Sequence, residues 1–285
     1  DPDSAQSARS RHEISAVVNP NLEKAQQFAE QWEVEQSFSS VKTALEKSQV
    51  ESVHICTPPV SHADILEACL AANVHLFCEK PLTVDAEQAR KISNLAQKKN
   101  LVAAVNFNNR FYGVSQLAKD TIAGNDFGAP LFIHGRYLQE FHALPDVYSW
   151  RYQPEVAGPM RAVTEIGSHW IDLARFWTGL EIQSVSATFG CLQPDRQLQD
   201  GVMRRPGSAP NLHIHTEDTA SISLHFSNGA VGHVVLSEVS HGRVNQMQLE
   251  VSSATDSIWW DSEHPYQVRQ AQKNTGVQTR TMPFG

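Results

Sequence analysis

Three groups of residues in this chain have the side chains and the spacing to do chemistry. Lys80, in Glu79-Lys80-Pro81, follows directly on the apolar run 74–78. Such a run reads as a strand, and the carboxyl ends of strands in an open α/β sheet face the crevice where ligands bind. The lysine ammonium would oppose the negative charge that develops on an alcohol oxygen as its proton leaves, and Pro81 fixes the turn that aims it. A second group, Glu165, His169 and Asp172, is spaced at i, i+4 and i+7. At 3.6 residues per turn that spacing puts all three on one helical stripe, with Ile166, Trp170, Ala174 and Trp177 covering the other side. A carboxylate one turn from an imidazole orients it and raises its basicity, as a general base near neutral pH requires. The third group is Thr57-Pro58-Pro59 with His62, just beyond the run 52–56. A helix opening near Val60 would aim its first amides at a bound anion. Taken singly, each group also suits an ordinary role: a solvated lysine, the wet face of an amphipathic helix, a stiff turn.

Other chemistries find less support. Glu165 with His169, and His213 with His215, offer pairs of metal ligands, but no third ligand has a diagnostic spacing and no metal is expected. No Gly-x-Ser-x-Gly elbow marks a hydrolase nucleophile. Cys56, Cys69, Cys78 and Cys191 form no Cys-x-x-Cys pair and read as reduced thiols of a cytoplasmic protein. Among 285 residues there are 23 basic and 31 acidic side chains, net −8, which argues against a nucleic-acid or polybasic membrane surface. With 41% hydrophobic and 19% charged residues the chain has the composition of a globular domain. No apolar run is long enough for a transmembrane helix.

The elements that must position these residues are of two kinds. Through the first third, β-branched runs at 14–18, 52–56, 74–78 and 101–107 alternate with helical stripes such as Leu22, Ala25, Phe28, Ala29 and Trp32. That is the pattern of a doubly wound parallel sheet, an α/β fold. From about Pro130 the pattern changes to a strand over 131–137, a helix over 161–177 and then alternating strands. Ile222, Leu224 and Phe226 share one face, Ser227-Asn228-Gly229 predicts a hairpin turn with both central residues at positive φ, and Val231, His233 and Val235 open the return strand. This half reads as an α+β domain with a largely antiparallel open sheet. The segment 193–216, with Pro194, Pro206, Gly207 and Pro210, reads as a lid or as disordered chain.

Together these motifs resemble the Gfo/Idh/MocA family of NAD(P)-dependent oxidoreductases. The resemblance rests on Val53-His54-Ile55-Cys56-Thr57-Pro58-Pro59 with His62, on Cys78-Glu79-Lys80-Pro81-Leu82, and on the glycine-led stretch 158–173. Val105-Asn106-Phe107 with Arg110, and Trp150-Arg151, extend it. It implies a Rossmann-type dinucleotide-binding domain over 1–110, and a substrate-binding and oligomerisation domain over 111–285. The first domain is expected to be incomplete, since Ile14 already opens the family's second strand and its first strand and glycine loop are lacking. By resemblance Lys80 contacts substrate and nicotinamide ribose, His169 is the catalytic base, and Glu165 stands where aspartate is usual and orients that base. Asp172 and Arg110 would bind substrate. Asn19, Lys24, Thr57, Pro58, Pro59, His62, Glu79, Asn106, Trp150 and Arg151, with Lys80, would bind the cofactor.

That cofactor is NAD or NADP. Asn19 occupies the place of the acid that in NAD enzymes accepts the ribose hydroxyls; an amide also binds a diol, does not repel a 2′-phosphate, and has Lys24 close by. NAD is favoured because no arginine follows in the loop. The implied activity is hydride transfer between NAD(P) and a secondary alcohol of a sugar or polyol. Its rivals are an NAD-dependent glycoside hydrolase of the same family and a non-catalytic NAD(P)-binding regulator. The resemblance also implies a homodimer or homotetramer formed through the carboxy-terminal sheet, with neither nucleic acid nor membrane as partner.

Overall fold

The computed structural model describes residues 13–147, 149–199, 202–204 and 211–282. The chain divides into two compact units, one ending at Asn106 and one beginning at Phe107. In the first, short strands and helices alternate: β1 Ala16–Val18, α1 Leu22–Trp32, β2 Gln36–Phe38, α2 Val41–Lys47, β3 Ser52–Ile55, α3 His62–Ala71, β4 His75–Cys78, α4 Ala86–Lys98 and β5 Ala103–Val105. β1 pairs with β2, and β4 lies between β3 and β5, all parallel. The two ladders match the flanks, 3-2 and 4-5-6, of the doubly wound strand order. Asn21, Ser40 and Asp85 cap α1, α2 and α4, each accepting a bond from a first-turn amide that has no partner within its helix. Leu66, Cys69 and Leu70 of α3 and Ile92 and Ala96 of α4 close over Ile55, Leu76 and Cys78 of the sheet. The expected stripe on α1 is only partly a core face, because Ala25 and Ala29 are buried while Phe28 and Trp32 lie exposed against each other, ring centroids 6.0 Å apart.

The second unit opens with α5 Gly113–Ala123, β6 Phe132–Leu138 and the one-turn helix α6 Pro154–Ala157, followed by α7 Ser168–Thr178. The remaining strands are β7 Ile182–Gly190, β8 Asp195–Gln199, β9 Val202–Arg204, β10 Leu212–His213, β11 Thr219–Phe226, β12 Val231–Ser237, β13 Gln246–Ser252, β14 Asp256–Asp261, β15 Gln267–Gln272 and β16 Gly276–Thr281. Eight of these strands form one sheet in the order β16-β15-β14-β13-β6-β12-β11-β7, antiparallel except where β12 runs parallel to β6. The predicted alternation holds: Ile222, Leu224 and Phe226 of β11 and Val234 and Leu236 of β12 are buried against Trp170, Leu173, Ala174 and Trp177 of α7. Val231 and Val235, paired with His225 and Ser221, stand exposed on the opposite face.

Two expectations for this unit need correction. In the hairpin 227–229 only Gly229 has a positive φ, +87°, and Phe226 N donates to Ala230 O at 2.9 Å. The loop therefore has three residues with glycine at the bulge position, a form that asks positive φ of one residue only. Asn228 spends its side chain on Ala230 N and Pro130 O. The described parts of 193–216 include three strands, in the order β10-β8-β9, rather than disordered chain. Leu198, Leu212 and Ile214 pack on Tyr152, and the Asn211 side chain bonds both backbone groups of Leu198 at 2.7 Å. Strands this short show no periodicity in the sequence.

Gly135 on β6 is where α7 meets the sheet. The Trp170 indole donates to Gln248 O at 2.8 Å, and a Cβ on Gly135 would lie 1.9 Å from that oxygen and 2.6 Å from the indole nitrogen. A ladder carbonyl and a fully buried ring have nowhere to go. Gly135→Ala should therefore cost about 1–3 kcal/mol or more, read as a lower urea midpoint at unchanged slope. An unchanged midpoint would mean that the ladder opens to admit the methyl. Among the described residues no helix is long and apolar enough to cross a membrane.

Candidate active site

The first unit places Asn19, Thr57-Pro58-Pro59 and Glu79-Lys80-Pro81 at the carboxyl ends of β1, β3 and β4. Asn19 Oδ1 accepts from Asn21 N at 2.9 Å, so this side chain shapes the turn into α1, on which Lys24 is exposed. After β3 the chain passes Thr57 and Pro58 into a 3₁₀ turn, Pro59–Ser61, where Ser61 Oγ lies 2.7 Å from Thr57 Oγ1 and 2.8 Å from Pro58 O. His62 then joins the two loops. Its Nε2 is 2.7 Å from Thr57 O and its Nδ1 2.9 Å from Pro81 O. The residue is 0% exposed, so it stands behind the loops and holds them, whereas the sequence reading gave it a cofactor contact. Glu79 braces the next turn: Oε1 accepts from Asn106 Nδ2 at 2.6 Å and Oε2 from Lys80 N at 3.2 Å. The Lys80–Pro81 peptide is cis.

In the second unit the helix expected over 161–177 is not α-helical throughout. Val163–Gly167 is a π-helical turn, with Ser168 N bonded to Val163 O, and only then does α7 begin. π turns are wider than α turns, so the stripe departs from a count of 3.6 residues per turn. Glu165 Oε2 accepts from Arg151 Nε at 2.6 Å, and the Arg151 guanidinium lies 4.5 Å from the centre of the Trp150 ring. His169 Nδ1 faces Asn109 Nδ2 at 3.4 Å, with the edge of Phe107 5.9 Å away between ring centroids. Asn109 was not among the expected site residues; it is buried in a polar run, 106–110, that shows no period. Asp172, expected to bind substrate alongside Arg110, is bound to Arg110 itself. Arg110 Nε donates to Oδ2 at 2.7 Å and Nη2 donates to Oδ1, a two-pronged pair that raises the Arg110 pKa. Arg110 also covers the ring of Phe176.

Behind this stripe lies a buried ionic cluster that no spacing in the chain announces. Arg161 is 1% exposed and donates through Nε to Glu238 Oε2 at 2.8 Å, with Nη2 3.8 Å from Asp218 Oδ2. Arg161 and Arg196 both approach the ring of Tyr152, whose hydroxyl is 2.8 Å from His142 Nδ1. Burial pushes the Glu238 carboxyl up to about 8 despite the pull of Arg161, and burial together with the Arg161 charge pushes His142 down to about 4. Folded protein thus keeps a proton on Glu238 that the unfolded chain releases near pH 4.5, so stability from this group falls as pH climbs from about 4.5 to about 8. His142 works oppositely: the unfolded chain takes up a proton near 6.5, and stability is lost as pH falls from there to about 4. Above pH 6.5 the Glu238 slope stands without that opposition. Melting temperature should drop between pH 6.5 and 8 in the native protein and drop less in E238Q; equal slopes would assign the effect to another group. Among the described residues no group of three or more His, Cys, Asp or Glu side chains is placed to hold a metal ion.

The description "oxidoreductase family, NAD-binding Rossmann fold" fits residues 3–107, and the model of the GFO/IDH/MocA C-terminal domain fits residues 115–258. The chain belongs to the GFO/IDH/MocA family. The levoglucosan dehydrogenase of Pseudarthrobacter phenanthrenivorans is 33% identical over 256 residues, 88% of this chain and 65% of that protein. The myo-inositol 2-dehydrogenase of Thermotoga maritima is 24% identical over 219 residues, 77% of this chain and 59% of its own length. This GFO/IDH/MocA chain therefore spans less than two thirds of the length of either relative. Among solved structures, levoglucosan dehydrogenase in complex with NADH and levoglucosan matches with a TM-score of 0.85 at 30% identity, over 94% of this chain and 70% of that one. Its apo form matches at 0.86 and 32%, over 95% and 71%. A Rossmann-type parallel unit followed by a mostly antiparallel sheet unit is the fold expected of a GFO/IDH/MocA protein, and the family resemblance read from the motifs is met. Residues 1–12, which precede β1 and where the glycine loop would be sought, lie outside the described residues.

Proposed function

We propose that this chain carries the core of an oxidoreductase that exchanges a hydride between a secondary alcohol of an uncharged sugar or polyol and a nicotinamide dinucleotide. The observation that carries the reading is the pairing of Arg110 with Asp172 and of Arg151 with Glu165 beside His169. Each cation of the stripe is matched by a carboxylate, so the stripe offers hydrogen bonds without net charge, which suits hydroxyl groups better than a carboxylate or phosphate. The relatives named levoglucosan and inositol dehydrogenases support the same substrate class.

The polar groups at the strand ends of the first unit fit the nucleoside parts of a dinucleotide: the Asn19 amide for a ribose diol, the stiff Thr57-Pro58-Pro59 loop, and Lys80 on the turn braced by Glu79 and Asn106. When bound, the nicotinamide supplies the hydride acceptor. His169 takes the hydroxyl proton on its imidazole, with Asn109 Nδ2 3.4 Å from its Nδ1. Lys80 holds the oxygen as it gains charge. Glu165 steadies Arg151 beside the base, and Asp172 acts through Arg110. NAD is preferred over NADP because no arginine follows Asn19 in its loop, with residues 1–110 holding the cofactor and 111–285 the substrate. The exposed face of the eight-stranded sheet, with Val231 and Val235, would join subunits into a cytoplasmic homodimer or homotetramer.

The test is a panel of levoglucosan, myo-inositol, a uronate and a sugar phosphate, each with NAD and with NADP. Reduction of NAD with the uncharged members only is the expected result. Turnover confined to the charged members would overturn the substrate class. Release of free sugar from a glycoside without net reduction would point to the hydrolase, and cofactor binding without any turnover to the regulator.

A further inference from the structure

We infer that Glu217, a residue with no place in the chemistry above, is a positioning residue for the stripe that carries Glu165 and His169; the inference rests on the proposed function of that stripe. Three successive amides open the segment, and one residue takes all of them. Glu217 Oε1 accepts from Arg161 N at 2.9 Å and from Val163 N at 3.0 Å, while Glu217 O accepts from Ala162 N at 3.2 Å. First-turn amides have no partner within their own helix, and a carboxylate at that end also meets the positive end of the helix dipole. The acceptor comes from outside the helix, from the residues leading into β11.

Glu217 is itself held firmly. It is 8% exposed. Its neighbour Asp218 donates through N to Gly190 O at 2.9 Å and accepts through O from Glu238 N at 2.9 Å, so the backbone beside Glu217 is tied to the end of β7 and to the residue after β12. Asp218 also accepts Leu192 N and Gln193 N through its carboxylate. The far end of the clamp is the site. Arg161 O accepts from Glu165 N at 2.7 Å, so the carbonyl that directs the Glu165 backbone belongs to a residue whose own amide is fixed by Glu217. The Arg161 side chain is fixed in turn by Glu238. Setting the first turn sets where the π turn delivers Glu165 to Arg151 and where α7 starts one residue before His169. A displacement of about 1 Å at a reacting group can cost on the order of 10²-fold in rate.

Three variants test this. E217Q keeps the Oε1 acceptor and loses the charge; E217A loses both; E217D keeps the charge on an arm too short to reach both amides. Hydrogen exchange at the amides of 161–163 should quicken by about tenfold or more in E217A and E217D and stay near native in E217Q. With an uncharged polyol, kcat should fall by about tenfold or more in E217A and E217D, and E217Q should keep kcat near native. Native exchange in E217D, or quickened exchange with native kcat, would overturn the inference. If E217A does not fold, E217D against E217Q makes the same comparison. Should the native protein turn over no polyol at all, the function fails as proposed, while the exchange data still decide whether Glu217 clamps the turn.

Discussion

Lys80→Ala and His169→Ala should each cut turnover of an uncharged polyol by about 10²-fold or more, since a positioned general base contributes roughly 10²–10⁴-fold. The two losses should differ in kind. Without the imidazole, proton removal falls to hydroxide, so the H169A rate should climb with pH where the native rate has levelled. Without the ammonium, the oxygen loses its charge partner at every pH, and the K80A deficit should persist across the range. Both residues are only partly buried, so neither change should move the melting temperature as far as loss of a core group would. Steady-state rates at saturating NAD from pH 6 to 10 give the comparison. Native-like rates in both variants would remove these residues from the chemistry.

A larger loss of stability is expected from Arg161→Ala. Removing one member of a buried ion pair costs about 3–5 kcal/mol, because its partners are left charged in a poor solvent. The partners here answer differently. Glu238, already pushed up to about 8, holds a proton near pH 7 and is left neutral there. Asp218 keeps the amides of Leu192 and Gln193 as compensation. The loss should therefore sit at the lower end of that range near pH 7 and grow as pH rises through 8, where protonating Glu238 becomes costly. Replacing both Arg161 and Glu238 with methionine should recover part of the loss, as buried pairs exchanged for apolar residues often do. Guanidinium unfolding at pH 6.5 and 8.5 reads both effects; a cost under about 1 kcal/mol at both would mean that water reaches the cluster.

Much of this molecule was legible in its sequence, for local reasons. The alternation of β11 and β12 and the helices between the strands of the first unit follow from side-chain period alone, and Lys80 at a strand end follows from the run that precedes it. What could not be read is nonlocal or breaks period. β2 is three residues, Gln36–Phe38, with no apolar repeat to mark it. The π turn at Val163–Gly167 breaks a count based on 3.6 residues per turn, and the contact of Glu165 with Arg151, 14 positions away, has no mark in the sequence. Asn109 reaches His169 from 60 positions away. The ionic cluster assembles His142, Tyr152, Arg161, Arg196, Asp218 and Glu238 from separate segments, and only tertiary folding brings such residues together.

The imidazole of His62, shut between the carbonyls of Thr57 and Pro81, bears on any attempt to redesign this protein. Lengthening either loop by one residue would draw a carbonyl off its nitrogen and unsettle the other loop with it. An engineer wishing to exchange cofactor preference would therefore have to graft both turns and their shared histidine from one donor, as a single cassette.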